Sequence, residues 1–161
     1  MTPMFEGRVV AMFTASAEGA PMESRDAVEA IAGIGLDGDR YAIDAGKFSG
    51  SKLGKRAITL IEREAIAAAN ESYGVGMDES ETRRNVVVEG VPLNHLVGQD
   101  FLVGDVRLRG YDLSEPCTWL EEVTGKEART AFVHRGGLRA EIVEGGPIRI
   151  GDSVRPVSPP A

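Results

Sequence analysis

The sequence predicts a mostly β fold, α+β in class, in which a small sheet bends often and a few short helices lie across it. Short apolar stretches of period-two character recur along the chain, and each ends at Gly, Asp or Pro, which is typical of short strands and tight corners. Twenty glycines among 161 residues suit a sheet that bends as often as a small barrel must.

The expected strands are these stretches in chain order: residues 8–13, 57–61, 85–89, 100–103, 106–109 and 148–150. Two of the corners share a Gly-Asp pair, at residues 104–105 and 151–152. Because Gly-Asp suits a reversal between strands, we expect a hairpin at each pair.

Helix signals are fewer. Residues 62–73 are rich in helix formers, begin with acidic side chains that suit the positive end of the helix dipole, and stop at Gly74. A second helix of about two turns is expected before Gly125, capped either by Thr118, with Glu121 in a capping box, or by Ser114. Residues 23–32 are ambiguous between a helix and a strand.

The length and composition predict a single domain over residues 1–156, with a frayed tail over residues 157–161. The start of the sequence lacks the basic and apolar blocks of a signal peptide, and no later stretch reaches the roughly 20 apolar residues of a membrane span. We therefore expect a cytoplasmic protein without membrane contact.

The net charge of -7 argues against a general nucleic-acid binder, because such a protein needs a basic face.

Cys117 is the single cysteine of the chain, so it forms no internal disulfide and no thiolate-rich metal site. It follows Pro116 at the expected start of the second helix, where the helix dipole favours a thiolate. One interpretation is therefore a nucleophile or ligand, with Cys117 as the candidate catalytic and metal-binding residue. The other is a small buried apolar residue, which is the common role of a lone cysteine.

Two basic clusters are candidate anion sites. Arg83, Arg84 and Asn85 come directly before a strand, and arginine's planar fork suits phosphate oxygens. Neighbouring side chains of an extended segment point to opposite faces, so both arginines serve one site only if the chain turns there. The second cluster, His134 to Arg139, contains a Gly-Gly pair that lets the backbone approach an anion. The alternative is ordinary surface charge at the start of the strand, and a Gly-Gly pair with basic neighbours does not by itself identify an anion site.

Six short motifs in fixed order resemble the MOSC domain family, named for the C-terminal domain of molybdenum cofactor sulfurases, over about residues 5–155. They are Gly35-Leu-Asp-Gly-Asp-Arg40, Ile58-Thr-Leu-Ile-Glu-Arg-Glu64, Arg84-Asn85 with Gly90-Val-Pro-Leu-Asn-His-Leu-Val-Gly98, Glu115-Pro-Cys117, Arg135-Gly-Gly-Leu-Arg-Ala140 and Gly146-Pro-Ile-Arg-Ile-Gly-Asp152. The resemblance implies a small closed β-barrel similar to the pyruvate kinase barrel domain. Many relatives have histidine where this chain has Tyr41, which puts a proton-handling role at that position in doubt.

The resemblance also implies a role for Cys117, either as a thiolate ligand of molybdenum in a bound molybdenum cofactor (molybdopterin) or as a carrier of persulfide sulfur. The arginines and the amide at the anion sites then bind the cofactor: Arg40, Arg83, Arg84, Asn85 and Arg135. Larger relatives have a pyridoxal phosphate domain, and we expect no pyridoxal phosphate site in this chain.

Three functions stay open from the sequence. The first is a molybdenum-dependent oxidoreductase that supports reduction of N-hydroxylated small molecules with an external electron donor, since one cysteine is too few for an iron–sulfur cluster and no dinucleotide fingerprint is present. The second is a persulfide carrier supplied by a separate cysteine desulfurase. The third is a non-catalytic binding module with a structural cysteine.

Overall fold

The computed structural model describes residues 3–43 and 57–157. Within them, eight strands form one sheet in the order β11-β7-β8-β9-β5-β6-β1-β2, and three form a second sheet in the order β10-β3-β4. The strand bounds are β1 Gly7–Thr14, β2 Glu23–Ser24, β3 Ala27–Ile31, β4 Gly35–Leu36, β5 Ile58–Glu62, β6 Val86–Glu89, β7 Asp100–Val103, β8 Val106–Leu113, β9 Leu138–Glu144, β10 Gly146–Arg149 and β11 Ser153–Pro156.

The large sheet closes on itself because β11 pairs with β1 as well as with β7. Seven of its eight strands thus form a barrel, and β2 pairs with the last two residues of β1. All pairs in the barrel are antiparallel except β5 with β6. The mostly β fold with a small closed barrel is confirmed.

The helices are short: α1 Arg63–Tyr73, α2 Thr118–Thr124 and α3 Ala128–Ala131, with 3₁₀ turns at Ser80–Thr82 and Leu93–Leu96. Helix α1 connects the parallel strands β5 and β6, as such a crossover requires. It ends at Gly74, which has a φ of 63° and donates its N–H to the Asn70 carbonyl. The helix expected over residues 62–73 is confirmed.

Two hydrophobic clusters follow from the strand alternation. On β6, Val86 and Val88 point into the barrel, whereas Val87 points outward. Outward-facing Ile61 of β5 joins Val87 in a second cluster beneath the three helices, with Leu120 and Phe132. The wall of the barrel near β5 is therefore buried on both faces, and this arrangement holds α2 against it.

Two sequence expectations need correction or completion. The hairpin at residues 104–105 exists between β7 and β8, but the Gly-Asp pair at residues 151–152 joins no hairpin. There β10 pairs with β3 and β11 pairs with β7 and β1, so the turn carries the chain from one sheet to the other. The ambiguous stretch, residues 23–32, contains the two strands β2 and β3. The expected tail lies almost wholly outside the described residues.

Candidate functional site

A cleft of about 210 Å³ lies on the outer face of the barrel beside α2. Strand alternation places it there, because Thr59 and Arg139 lie between inward-facing neighbours of β5 and β9. The cleft is lined by residues from five separate segments, and arginine is their commonest type: Arg40, Tyr41, Thr59, Arg83, Arg84, Ser114, Glu115, Cys117, Trp119, Leu120 and Arg139.

Arg40 is fixed by its neighbour Asp39, and both are buried, with exposed fractions of 3% and 0%. Arg40 Nη1 donates to Asp39 Oδ1 at 2.9 Å, and Nη2 donates to the Arg83 carbonyl at 3.3 Å. The guanidinium also stacks on the ring of Tyr41, 4.7 Å from its centroid. Its Nε is buried without a hydrogen-bond partner among the described residues.

Arg83 is 5% exposed and sits at the end of the Ser80–Thr82 turn with a φ of 60°. This left-handed residue breaks the alternation of an extended chain, so adjacent Arg83 and Arg84 both line the cleft. Arg83 Nη1 donates to the Ala20 carbonyl at 2.8 Å, and the guanidinium lies 5.3 Å from the Trp119 ring centroid. Burial, with the nearby charge of Arg40, lowers the pKa of Arg83.

Two guanidinium nitrogens of Arg83, Nε and Nη2, are buried and make no hydrogen bond within the described part of the chain. With Arg40 Nε they form a set of three buried donors, in two arginines that line the cleft, for which residues 3–43 and 57–157 provide no acceptor. Buried donors are rarely left unpaired in native proteins, because each costs its full desolvation penalty. Such donors are candidates for binding a ligand with anionic or polar oxygen atoms.

Arg84 donates to three backbone carbonyls: Nε to Gly136 at 2.7 Å, Nη2 to Ser114 at 2.9 Å and Nη1 to Thr82 at 3.2 Å. Burial lowers the pKa of Arg84 to about 10, and the proximity of Cys117 opposes that shift. Arg84 therefore joins the turn before β6 to the segment that contains Cys117, at Ser114, and to the segment at Gly136.

Cys117 is the residue that caps α2, in an extended conformation with φ -133° and ψ 168°. It lines the cleft, is partly buried, and packs at the margin of the outer hydrophobic cluster. The expected helix is confirmed, but both expected caps are wrong. Thr118 is the first helical residue, and the Glu121 carboxylate binds Arg129 of α3 instead of closing a capping box.

Two residues expected at the anion site do not line the cleft. Asn85 is 0% exposed, and its side chain accepts the N–H and hydroxyl of Thr59 and donates to the Phe13 carbonyl. Arg135 donates its Nε to the Ala131 carbonyl at 3.2 Å. Asn85 instead joins β1, β5 and β6 behind the cleft wall.

Arg139 stands in the second basic cluster and Glu115 in the Glu115-Pro-Cys117 motif, but neither was expected to be a residue of the site. Arg139 binds Asp112 across the β8–β9 pair, with Nη2 to Oδ2 at 2.8 Å, and donates to the Leu113 carbonyl at 3.0 Å. The local sequence does not show which members of that cluster reach the cleft, since the neighbours of an outward-facing arginine depend on strand pairing. Glu115 is the acidic residue in the described lining of the cleft.

A sequence profile of the MOSC domain matches residues 37–155. The chain belongs to the MOSC domain family. Its fold resembles that of the YuaD protein from Bacillus subtilis, with a TM-score of 0.78 and 19% sequence identity. The match covers 96% of this chain and 97% of YuaD. YiiM from Geobacillus stearothermophilus is 14% identical with a TM-score of 0.70, covering 94% of this chain and 75% of its own. YiiM from Escherichia coli is 15% identical with a TM-score of 0.67, covering 99% and 72%.

No curated protein sequence matches this MOSC domain. At these identities the solved structures show likeness of fold alone. The motifs behind the resemblance nevertheless meet in space, because Arg40, Arg84 and Cys117 come from three different motifs and line one cleft. None of the helices in residues 3–43 and 57–157 is both long enough and apolar enough to span a membrane.

Residues of the MOSC domain fit the anionic part of a molybdenum cofactor, since the unpaired donors of Arg40 and Arg83 match phosphate oxygens. The volume fits only part of the molecule. Pockets that bury a drug-sized ligand measure about 300–1,000 Å³, whereas this cleft measures about 210 Å³. The described cleft would therefore hold one end of such a cofactor beside Cys117.

Proposed function

We propose that the cleft binds the molybdenum cofactor, with Cys117 as thiolate ligand of molybdenum. The observation that carries the proposal is the set of buried guanidinium nitrogens of Arg40 and Arg83 that have no hydrogen-bond partner among the described residues. Both arginines line a cleft together with the single cysteine. A structural cysteine needs no arginines around it. An anionic cofactor with a soft metal accounts for both features.

The arginines have different parts in this proposal. Arg40 and Arg83 bind the phosphate, since their free donors have no protein acceptor in the described chain. Arg84 keeps a positive charge beside Cys117, while most of its hydrogen bonds hold backbone. Asn85 and Arg135 support the walls, because their side-chain hydrogen bonds hold Thr59, Phe13 and Ala131.

A bound molybdenum cofactor supplies a centre that changes oxidation state by two electrons. The chain's own residues bind it, hold the Cys117 sulfur in place and keep water from one side through Trp119 and Leu120. The reaction we propose is reduction of N-hydroxylated small molecules. Its electrons come from an external donor, since a lone cysteine holds no iron–sulfur cluster and the sequence has no dinucleotide fingerprint.

A second candidate is a sulfur carrier that receives persulfide sulfur on Cys117 from a cysteine desulfurase. Partial exposure of Cys117 and the small volume of the cleft favour it. A carrier needs a reachable thiol and a cleft no larger than the group it protects. The arginines would then stabilise the persulfide anion.

Molybdenum analysis of protein purified from a host that makes the cofactor separates these candidates. We expect molybdenum bound in proportion to protein, none in Cys117→Ser, and weaker retention in Arg83→Met by about 1.5–3 kcal/mol, the usual value of a hydrogen bond to a charged group. Arg8→Met, at an exposed arginine of β1, is the control and should retain molybdenum fully. Protein that lacks molybdenum and gains the mass of one sulfur atom on Cys117 would favour the carrier.

Activity of the loaded protein tests the reaction. With an artificial reductant we expect reduction of an N-hydroxylated test compound, and with NADH alone we expect none. Turnover with NADH and no partner protein would contradict the requirement for an external donor.

A further inference from the structure

Two segments of the chain are joined along the edge of the cleft, and one of them carries Cys117. The Ser114 N–H donates to the Gly137 carbonyl at 2.7 Å. Gly136 lies so close to Ser114 that an added Cβ would overlap the Ser114 carbonyl oxygen and come within 3.1 Å of Pro116 Cδ. Residues 114–117, called the cysteine segment below, thus lie directly against residues 134–137.

Glu115 and His134 form the outer contact between these segments. Glu115 Oε1 accepts the backbone N–H of His134 at 2.8 Å, and Oε2 lies 2.8 Å from His134 Nδ1. One carboxylate therefore fixes both the backbone and the ring of a single residue. The two contacts together set the position of Glu115 more tightly than one hydrogen bond of an exposed side chain would.

His134 has a φ of 60°, which is uncommon for a residue with a side chain. A third residue helps to hold it in this conformation, since Asn94 Nδ2 donates to the His134 carbonyl at 2.6 Å. Asn94 belongs to the 3₁₀ turn Leu93–Leu96. Strained backbone that several contacts maintain is characteristic of functional sites.

We propose that Glu115 and His134 are positioning residues that clamp the cysteine segment and hold Cys117 at the arginine-lined cleft. Glu115 and Cys117 both line the cleft and are separated by one residue, Pro116, whose ring limits the motion between them. A displacement of Glu115 is therefore transmitted to Cys117. Arg84 fixes the same two segments from the inner side through the Gly136 and Ser114 carbonyls.

The inference deepens the proposed function, because it concerns the sulfur that function uses, and its test needs no cofactor. The rate of alkylation of Cys117 is measured with iodoacetate, an anion, and with iodoacetamide, its neutral analogue. The ratio of the two rates reports whether the sulfur faces the arginines, since a basic cleft concentrates the anionic reagent. Changes in general reactivity cancel in the ratio.

The variants are Glu115→Ala, which removes both clamp contacts, and His134→Gly, which keeps the backbone N–H and tolerates a positive φ. Glu122→Ala is the matched control, since it removes one negative charge from an exposed position of α2. Loss of a negative charge alone raises the preference for iodoacetate. We expect the ratio to fall about threefold or more in both clamp variants and not to fall in the control. Glu115→Gln, which keeps an acceptor for the His134 N–H, should lie between wild type and Glu115→Ala.

Equal ratios in Glu115→Ala and Glu122→Ala, or a wild-type ratio in His134→Gly, overturn the proposal. Circular dichroism and melting temperature are measured on the same samples. A fall in the ratio that occurs only where folded protein is lost also overturns it, since the clamp would then be part of the fold and not a positioning device. The molybdenum content of the wild type tests the proposed function separately, because its result does not depend on the alkylation ratios.

Discussion

Asp39 and Arg40 are neighbours in sequence, and their side chains form a buried ion pair with Oδ1 and Nη1 2.9 Å apart. Asp39 also accepts the N–H of Ala15 at 3.0 Å through Oδ1 and that of Tyr41 at 3.3 Å through Oδ2. One carboxylate thus closes the turn that follows β4, ties it to the end of β1, and orients the guanidinium at the cleft. The local fold and the candidate site therefore both depend on Asp39.

Asp39→Ala is therefore expected to lower the free energy of unfolding by about 3–5 kcal/mol, the usual effect of breaking a buried ion pair by removing one partner. The remaining Arg40 charge would lie buried without a counter-ion. Urea denaturation measures the change. The control is Glu89→Ala, which breaks the exposed pair with Arg8 and should cost at most about 1 kcal/mol. Equal losses in the two variants would contradict the importance of burial.

Asn85→Ala is expected to destabilise the fold and to leave anion binding nearly unchanged. The variant leaves the Thr59 N–H and the Phe13 carbonyl buried without their side-chain partner, at about 1–3 kcal/mol for each group. Urea denaturation measures stability, and phosphate titration followed by fluorescence of Trp119 measures binding, since Trp119 lines the cleft. Asn94→Ala, at an exposed asparagine, should cost about 0.5–1.5 kcal/mol. Loss of phosphate binding without loss of stability would show that Asn85 is a ligand-binding residue.

Much of the fold could be predicted from local pattern. Helix α1 follows from its helix formers and its Gly74 stop, and the strands follow from alternation and corners. The second Gly-Asp corner shows the limit of such reasoning. Its sequence resembles that of the β7–β8 corner, yet β10 pairs with β3, residues more than a hundred positions away. Strand pairing is a long-range property that a turn sequence does not determine.

The candidate site was predictable in part for the same reason. Arg40, Arg83, Arg84 and Cys117 stand in motifs that a single sequence already shows, and the structure brings them to one cleft. Arg83 and Arg84 both line the cleft because Arg83 has a left-handed backbone conformation. The neighbouring sequence does not reveal that conformation. Arg139 reaches the cleft by the register of β8 with β9. Asn85 resembled a ligand residue because buried polar side chains and binding side chains look alike in sequence.

Glu62→Gln is expected to stabilise the protein at neutral pH and to have little effect near pH 4. Burial, followed by the nearby charge of Glu64, raises the pKa of Glu62 above its ordinary value of 4.5. The folded state therefore binds the Glu62 proton more tightly than the unfolded state. The stability that this proton contributes is present below the ordinary value and is lost as the pH rises through the raised one.

Urea midpoints of wild type and Glu62→Gln, measured from pH 4 to pH 8, test this sign. The two curves should meet at the acidic end and separate as the pH rises, with the variant higher. Glu71→Gln, at an exposed position of α1, is the control and should follow wild type throughout. A variant that is less stable than wild type at pH 8 would show that ionised Glu62 supports the fold.

Gly136→Ala is expected to lower stability and to displace Cys117, because the new methyl group would overlap the Ser114 carbonyl oxygen. Overpacking of this kind costs about 1–3 kcal/mol, and the neighbour that gives way is the cysteine segment. Gly74→Ala is the matched control: its Cβ would meet nothing within 4 Å, but its φ of 63° strains an alanine. Both variants should melt earlier, whereas only Gly136→Ala should lose the preference of Cys117 for iodoacetate over iodoacetamide. An unchanged preference in Gly136→Ala would show that the close approach of residues 114–117 and 134–137 serves stability and does not place the sulfur.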